Sequence, residues 1–211
     1  MDVVIKNLTK KLDNNIVLND INLNLESGQI IGFVGRNGSG KSMLFKTICG
    51  FLIPDEGEVL VEVENIYDNN TFPKNTAALI ENPNFLSDMS GYENLKLLAS
   101  IKNIITEEDI IKTLEEVGLL EEKDKLFKKY SLGMKRKLGI AQVLMENPDL
   151  MIFDEPFNGL DESSVEKIRK IILNKKKEGK LILIATHIKE DIDKLCDHVY
   201  VLDGGKIIKS E

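Results

Sequence analysis

The segment Gly35-Arg36-Asn37-Gly38-Ser39-Gly40-Lys41-Ser42 fits the pattern G-x-x-x-x-G-K-[ST] at every position. A short apolar run, Gln29–Val34, precedes it, and a helical stretch, Met43–Cys49, follows before Gly50 and Pro54 stop it. Strand, glycine loop and helix in that order commit the chain to an α/β fold, because the loop needs a buried strand behind it and a helix N-terminus in front. The glycines let backbone N–H groups curl around phosphate oxygens that side chains would block. The helix start adds partial positive charge. Lys41 is placed to reach β- and γ-phosphates, and the Ser42 hydroxyl suits Mg²⁺. The expected nucleotide-binding set is therefore Gly35, Arg36, Asn37, Gly38, Ser39, Gly40, Lys41, Ser42 and Met43. An ordinary glycine-rich turn is the plainer alternative, and the flanking strand and helix weigh against it.

The rest of the chain supplies a matching frame. Strands are expected at Val3–Ile5, across Leu18, Ile21, Leu23 and Leu25, at Glu58–Val63 and at Thr76–Ile80. From about Asn82 the texture is helical. Ser90-Gly91-Tyr92-Glu93 reads as a capping box, Thr106 to Asp109 begins a second helix closed by Gly118, and Ser131 caps a third. Strand texture returns at Leu150–Phe153, Leu181–Ala185 and Val199–Leu202, separated by helices at Ser164–Lys177 and Lys189–Leu195. Strand alternating with helix implies a largely parallel sheet. The expected organisation is one domain over 1–211, with an α/β core of 1–81 and 141–211 and an inserted helical subdomain of 82–140. The fold class is a P-loop NTPase: a mixed, largely parallel sheet with an antiparallel β portion, plus that insert.

Composition narrows function by exclusion. At 42% apolar residues, the 211-residue chain can bury a real core. Its net charge of −7 argues against holding duplex nucleic acid through a global field, so no nucleic-acid partner is expected. No apolar run approaches the roughly 18 residues a membrane span requires, and no signal peptide is read at the start. Two cysteines cannot make a disulfide framework, and two distant histidines with two distant cysteines argue against a zinc site. The lysine runs at 123–129 and 175–177 read as solvated helix faces, with contact to anionic lipid as the alternative.

A second motif completes the chemistry. Leu150-Met151-Ile152-Phe153-Asp154-Glu155 is an apolar strand ending in two carboxylates. Such a strand delivers Asp154 to the carboxyl edge of a parallel sheet, where ligands bind. Asp154 suits a hold on the metal, and Glu155 can take a proton from a water attacking the γ-phosphorus.

Three further segments resemble one family. Tyr130-Ser131-Leu132-Gly133-Met134-Lys135-Arg136-Lys137-Leu138 is similar to the signature motif of ATP-binding cassette (ABC) proteins, Asn158-Gly159-Leu160-Asp161 to their D-loop, and Thr186-His187 to their switch histidine. The order matches over essentially the whole chain, which thus resembles an ABC transporter ATP-binding subunit. That resemblance implies catalytic roles for Glu155, His187 and Lys41, with metal held at Ser42, Asp154 and Glu81. It implies Asp161 at a dimer seam. It also implies a signature of Ser131, Leu132, Gly133 and Met134 donated in trans to a second subunit's ATP. The implied cofactors are ATP and Mg²⁺. The implied partners are a separate transmembrane permease and a second cassette, identical or not, joined on ATP binding. The implied location is the cytoplasmic face of the membrane.

Three departures stand out. Glu81 occupies the place of the family's usual Gln, Leu132 replaces the first signature glycine, and no aromatic residue precedes Phe33, which leaves Leu12 as the apolar contact for adenine. The Glu-Asn-Pro and Ser-Leu-Gly-Met-Lys variants resemble ATP-binding subunits of bacitracin-efflux and lantibiotic-immunity exporters. Segment Asn82–Tyr92, with Phe85 and Tyr92, is the expected groove for a permease helix. Competing readings are a non-transport ABC-type ATPase, a nucleotide-gated regulatory module and a nucleoside-type P-loop kinase. The last leaves Ser131–Leu138 and His187 unexplained.

Overall fold

The computed structural model describes residues 1–68 and 72–210. Its first elements are β1 (Val3–Leu12) and β2 (Asn15–Leu25), an antiparallel hairpin. Asp13 and Asn14 close it with φ of 46° and 64°, the paired positive values a tight two-residue loop demands. There follow β3 (Ile30–Val34), α1 (Lys41–Ile48), β4 (Glu56–Val61), β5 (Glu64–Asn65) and β6 (Thr76–Leu79). Three helices come next, α2 (Gly91–Lys102), α3 (Glu107–Glu116) and α4 (Leu132–Leu144). The chain finishes with β7 (Leu150–Asp154), α5 (Glu162–Lys177), β8 (Leu181–Ala185), α6 (Lys189–Leu195), β9 (His198–Asp203) and β10 (Lys206–Ser210).

The strands form two sheets. An antiparallel sheet has the order β2-β1-β4-β5, and a six-stranded sheet the order β10-β9-β3-β8-β7-β6. Every pairing in the larger sheet is parallel except β9 with β10. Its central strands are buried on both faces, which explains why they read as unbroken apolar runs rather than alternating ones. Along β7 and β8, Met151, Phe153, Ile182 and Ile184 face one core, shared with Leu95, Leu114, Leu138 and Ile168 of the surrounding helices. Leu150, Ile152, Leu181 and Leu183 face the other, shared with Leu44, Phe45 and the small sheet. The sheet therefore sits between two cores, with the phosphate loop leaving its middle at the end of β3.

Several boundaries differ from expectation. The strand expected at Glu58–Val63 runs Glu56–Val61, because Glu62 and Val63 take φ of 50° and 68° in the turn to β5. Residues 82–89 are not helical. Pro83 disfavours helical backbone at Asn82, and the helix waits for the Ser90 cap. The expected subdomain boundary at 140/141 falls inside α4, so that helix belongs to both parts.

Candidate functional site

The N-terminus of α1 is built to face an anion. Its capping residue is Gly40, at φ 110°, with no side chain to satisfy the first-turn N–H groups. A Cβ there would stand 2.9 Å from the Val17 carbonyl oxygen, so glycine is required both by conformation and by space. Lys41 is buried, and its Nζ donates to the carbonyls of Gly35 (2.7 Å) and Arg36 (3.1 Å). The Ser39 carbonyl accepts from Gly205 N at 3.0 Å, fixing the loop from the far end of the chain.

Parallel pairing of β3, β8 and β7 brings the other groups to the same edge. Ser42 Oγ donates to Asp154 Oδ2 at 2.5 Å, which joins the first turn of α1 to the end of β7. Glu155 follows in left-handed backbone at φ 51°, a conformation that costs a non-glycine residue about 1 kcal/mol or more and marks a held position. Its N–H donates to the Ala185 carbonyl at 2.9 Å. Its carboxylate lies 2.9 and 3.0 Å from His187 Nδ1. A carboxylate only accepts, so Nδ1 donates in this contact.

These residues surround a cavity of about 710 Å³. Asn37, Gly38, Gly40, Lys41, Ser42, Met43, Glu81, Asp154 and Glu155 line it, with Leu12 and Val17 as apolar wall. Gly35 and Arg36 contribute through Lys41, and His187 through Glu155. Glu81 has its carboxylate 2.5 Å from Lys46 Nζ on α1. The oxygen donors of Ser42, Asp154 and Glu81 are of the hard type that suits Mg²⁺. Among the described residues no group of three or more His, Cys, Asp or Glu forms a metal cage.

Ser131 to Met134 and Asp161 do not line this cavity. Ser131 is exposed and caps α4, its Oγ accepting from Met134 N at 3.2 Å. Leu132 is 62% exposed, and its side chain lies over Gly159. Asp161 caps α5, accepting from Ser164 N at 2.9 Å and from the hydroxyls of Ser163 (2.6 Å) and Ser164 (2.7 Å), which together hold its carboxyl below the usual range. In the expected permease groove, Asn82 to Asn84 line a hollow of about 260 Å³ with Phe127, Leu132, Lys135 and Arg136. Phe85 packs edge-on against Phe127, and Tyr92 donates to Glu107 instead.

Sequence reasoning passed over Lys46 and Arg136. Nothing local marks Lys46. Arg136 stands at i−4, i−7 and i−8 from Ile140, Val143 and Leu144, and a cation on that apolar stripe signals a buried, partnered charge. Burial lowers its pKa, against the opposing pull of the Asp154 and Glu155 carboxylates.

The model of the family described as "ABC transporter" matches residues 18–158. The chain is 39% identical to an uncharacterised ABC transporter ATP-binding protein, YybJ of Bacillus subtilis (strain 168), over 99% of this chain and 96% of that protein. It is 38% identical to the bacitracin transport ATP-binding protein BcrA of Enterococcus faecalis, over 99% of this chain and 69% of the other. The lantibiotic transport ATP-binding protein SrtF of Streptococcus pyogenes is 34% identical, over 97% and 88%. Among solved structures, an ATP-binding subunit of an ABC transporter superposes with a TM-score of 0.91 at 26% identity, covering 100% of this chain and 90% of that one. A dimeric ATP-binding cassette bound to ADP and Pi in a post-hydrolysis state shares the fold, with a TM-score of 0.91 at 23% identity over 99% of this chain and 97% of that one.

Proposed function

The chain belongs to the ABC transporter family, whose cassettes bind and hydrolyse ATP, and from that premise we propose that it is the motor subunit of a membrane exporter of peptide antibiotic or another amphiphile. The observation that carries the proposal is the alignment of Lys41, Ser42, Asp154 and the Glu155–His187 pair along one sheet edge at one cavity.

In this reading the loop N–H groups and Lys41 hold the triphosphate, and Leu12 with Val17 packs on the base. Ser42, Asp154 and Glu81 hold Mg²⁺, which supplies charge neutralisation at the phosphate oxygens. Glu155 accepts the proton of a water attacking the γ-phosphorus in line. His187, its Nδ1 proton spent on Glu155, orients that carboxylate and turns its other nitrogen towards the γ-phosphate. Ser131 caps the triphosphate of a second copy, through its hydroxyl and the N–H groups of α4. Its exposure is what such a role requires. Asp161 then orders α5 beside the seam between copies. ATP closes the pair and hydrolysis reopens it, a ligand-biased two-state switch. The chain works as one domain, with the helical part that presents Ser131 running from α2 to the end of α4 at Leu144.

Among the described residues no helix is long and apolar enough to cross a membrane. The transport ATP-binding proteins among the relatives support a spanning permease as the partner. The hollow at Asn82 to Asn84 receives its cytoplasmic helix. Glu155→Gln tests the chemistry. The expected result is retained ATP binding with hydrolysis reduced at least about a hundredfold, the scale of a lost general base. Normal turnover in that variant removes Glu155 from the role.

A further inference from the structure

Arg136 is not used by the mechanism above, yet its placement is unusual. Arg136 as a whole residue is 6% exposed. Nη1 donates to the Glu81 carbonyl at 3.0 Å and Nη2 to Asn82 Oδ1 at 3.4 Å, while Nε has no partner among the described residues. Arginine cannot shed its proton, and a buried donor left unpaired calls for a reason. The same side chain borders the 710 Å³ cavity on one side and the 260 Å³ hollow on the other. Asn82 is the other residue common to both.

Glu81 is gripped from two directions. Its carboxylate is held by Lys46 of α1 and its carbonyl by Arg136 of α4, across backbone at φ 63°. α4 is also the helix whose head is Ser131, five residues before Arg136. A hydrogen-bonded guanidinium thus links residue 81, at the cavity wall, to the helix whose cap is Ser131.

We propose that Arg136 is a positioning residue for hydrolysis: it ties the Glu81-Asn82 turn to α4, so that the chain's own nucleotide site sets the pose of the signature it offers to a second copy. This rests on the reading that Ser131 acts in trans. It assigns Arg136 no contact with nucleotide, and it predicts that loss of the tie harms pairing and turnover while sparing binding.

The test uses the full chain as wild type, Arg136→Met and Arg136→Lys. Methionine keeps an apolar stem and removes every donor, and an apolar replacement of a buried charge is often tolerated by the fold. Three quantities are read: nucleotide affinity of the dilute monomer with a fluorescent ATP analogue, steady-state kcat and KM, and ATP-driven dimerisation in a Glu155→Gln background by light scattering. In Arg136→Met we expect monomer affinity within about twofold of wild type, kcat about tenfold lower, and the ATP midpoint for dimerisation about tenfold higher with the apparent KM rising alongside it, a coupling of ordinary size. Arg136→Lys, which can reach one of the two acceptors, falls between, and it carries the test if the methionine variant does not fold. Wild-type kcat and dimerisation in the variants overturn the proposal. So does a loss of monomer affinity equal to the loss of kcat, which makes Arg136 a ligand contact. A wild-type chain that binds ATP but never pairs overturns the trans reading itself, and this proposal with it.

Discussion

Leu132 and Gly159 are complementary in shape. Gly159 has φ 79°, and a Cβ on it would stand 2.8 Å from Leu132 Cδ2. Leu132 is therefore matched by a glycine in the segment it covers, and beside it Gly133 is half-buried, its missing Cβ leaving room for the Gly159 carbonyl oxygen. Gly159→Ala carries two penalties, a left-handed backbone and a steric clash, and is expected to cost about 1–3 kcal/mol in urea unfolding. Adding Leu132→Ala should recover the steric part and leave the backbone part. Strict additivity of the two substitutions would mean that the side chains do not meet. The same scale explains the thiols. Burial pushes Cys49 and Cys196 up to about 12, so both stay protonated and slow towards thiol reagents at pH 8. Because the folded pKa lies above the unfolded value of about 8.5, this contribution to stability is complete below pH 8.5 and is lost as pH rises towards 12. Labelling with iodoacetamide at pH 8 should be at least tenfold faster in urea than in buffer, and equal rates would contradict the burial.

Among the elements, the helix caps were the most legible part of the sequence. Ser90 accepts from Glu93 N at 3.2 Å while Glu93 accepts from Ser90 N at 2.7 Å, and Thr106 with Asp109 repeats the arrangement. Such boxes are readable because both partners lie within four residues. Segment 82–89 was misread as helical because its polar–apolar mixture fits a helix period, whereas the proline and the late cap decide the backbone. The strand after residue 56 was shifted because nothing local announces positive φ at Glu62 and Val63. Several residues that line the cavity were legible, since the glycine loop and the acidic strand end lie in contiguous runs. The Arg136 tie was not, because its meaning depends on acceptors 54 and 55 residues away. Caps also separate stability from function. Ser90→Ala and Ser131→Ala should each cost about 1 kcal/mol in urea unfolding, with Ser90 the larger because it is buried. Only Ser131→Ala should abolish ATP-driven pairing, measured by light scattering. A paired Ser131→Ala chain would leave Ser131 as a cap and nothing more.

At the scale of the whole molecule, two sheets meet at the nucleotide cavity. The small sheet supplies Leu12 and Val17, and the large one supplies Asp154 and Glu155. Besides their shared core, the turn after β9 ties the small sheet to the glycine loop: Asn19 N donates to the Gly205 carbonyl at 2.8 Å, and Gly205 N donates to the Ser39 carbonyl at 3.0 Å. The sequence announced each sheet from its own periodicity, antiparallel in the first quarter and parallel later, but no periodicity reveals that β3 inserts between β8 and β9. Its neighbours are Leu181–Ala185 and His198–Asp203, both far downstream. That order has a consequence during synthesis. A chain leaving the ribosome carries the whole glycine loop early, yet the strand behind it stays unpaired until β8 and then β9 have emerged far downstream. Stalled translation products ending before residue 198 lack one of the two flanking strands and should therefore fail to capture nucleotide, so the half-made motor stays disarmed until β9 has cleared the exit tunnel.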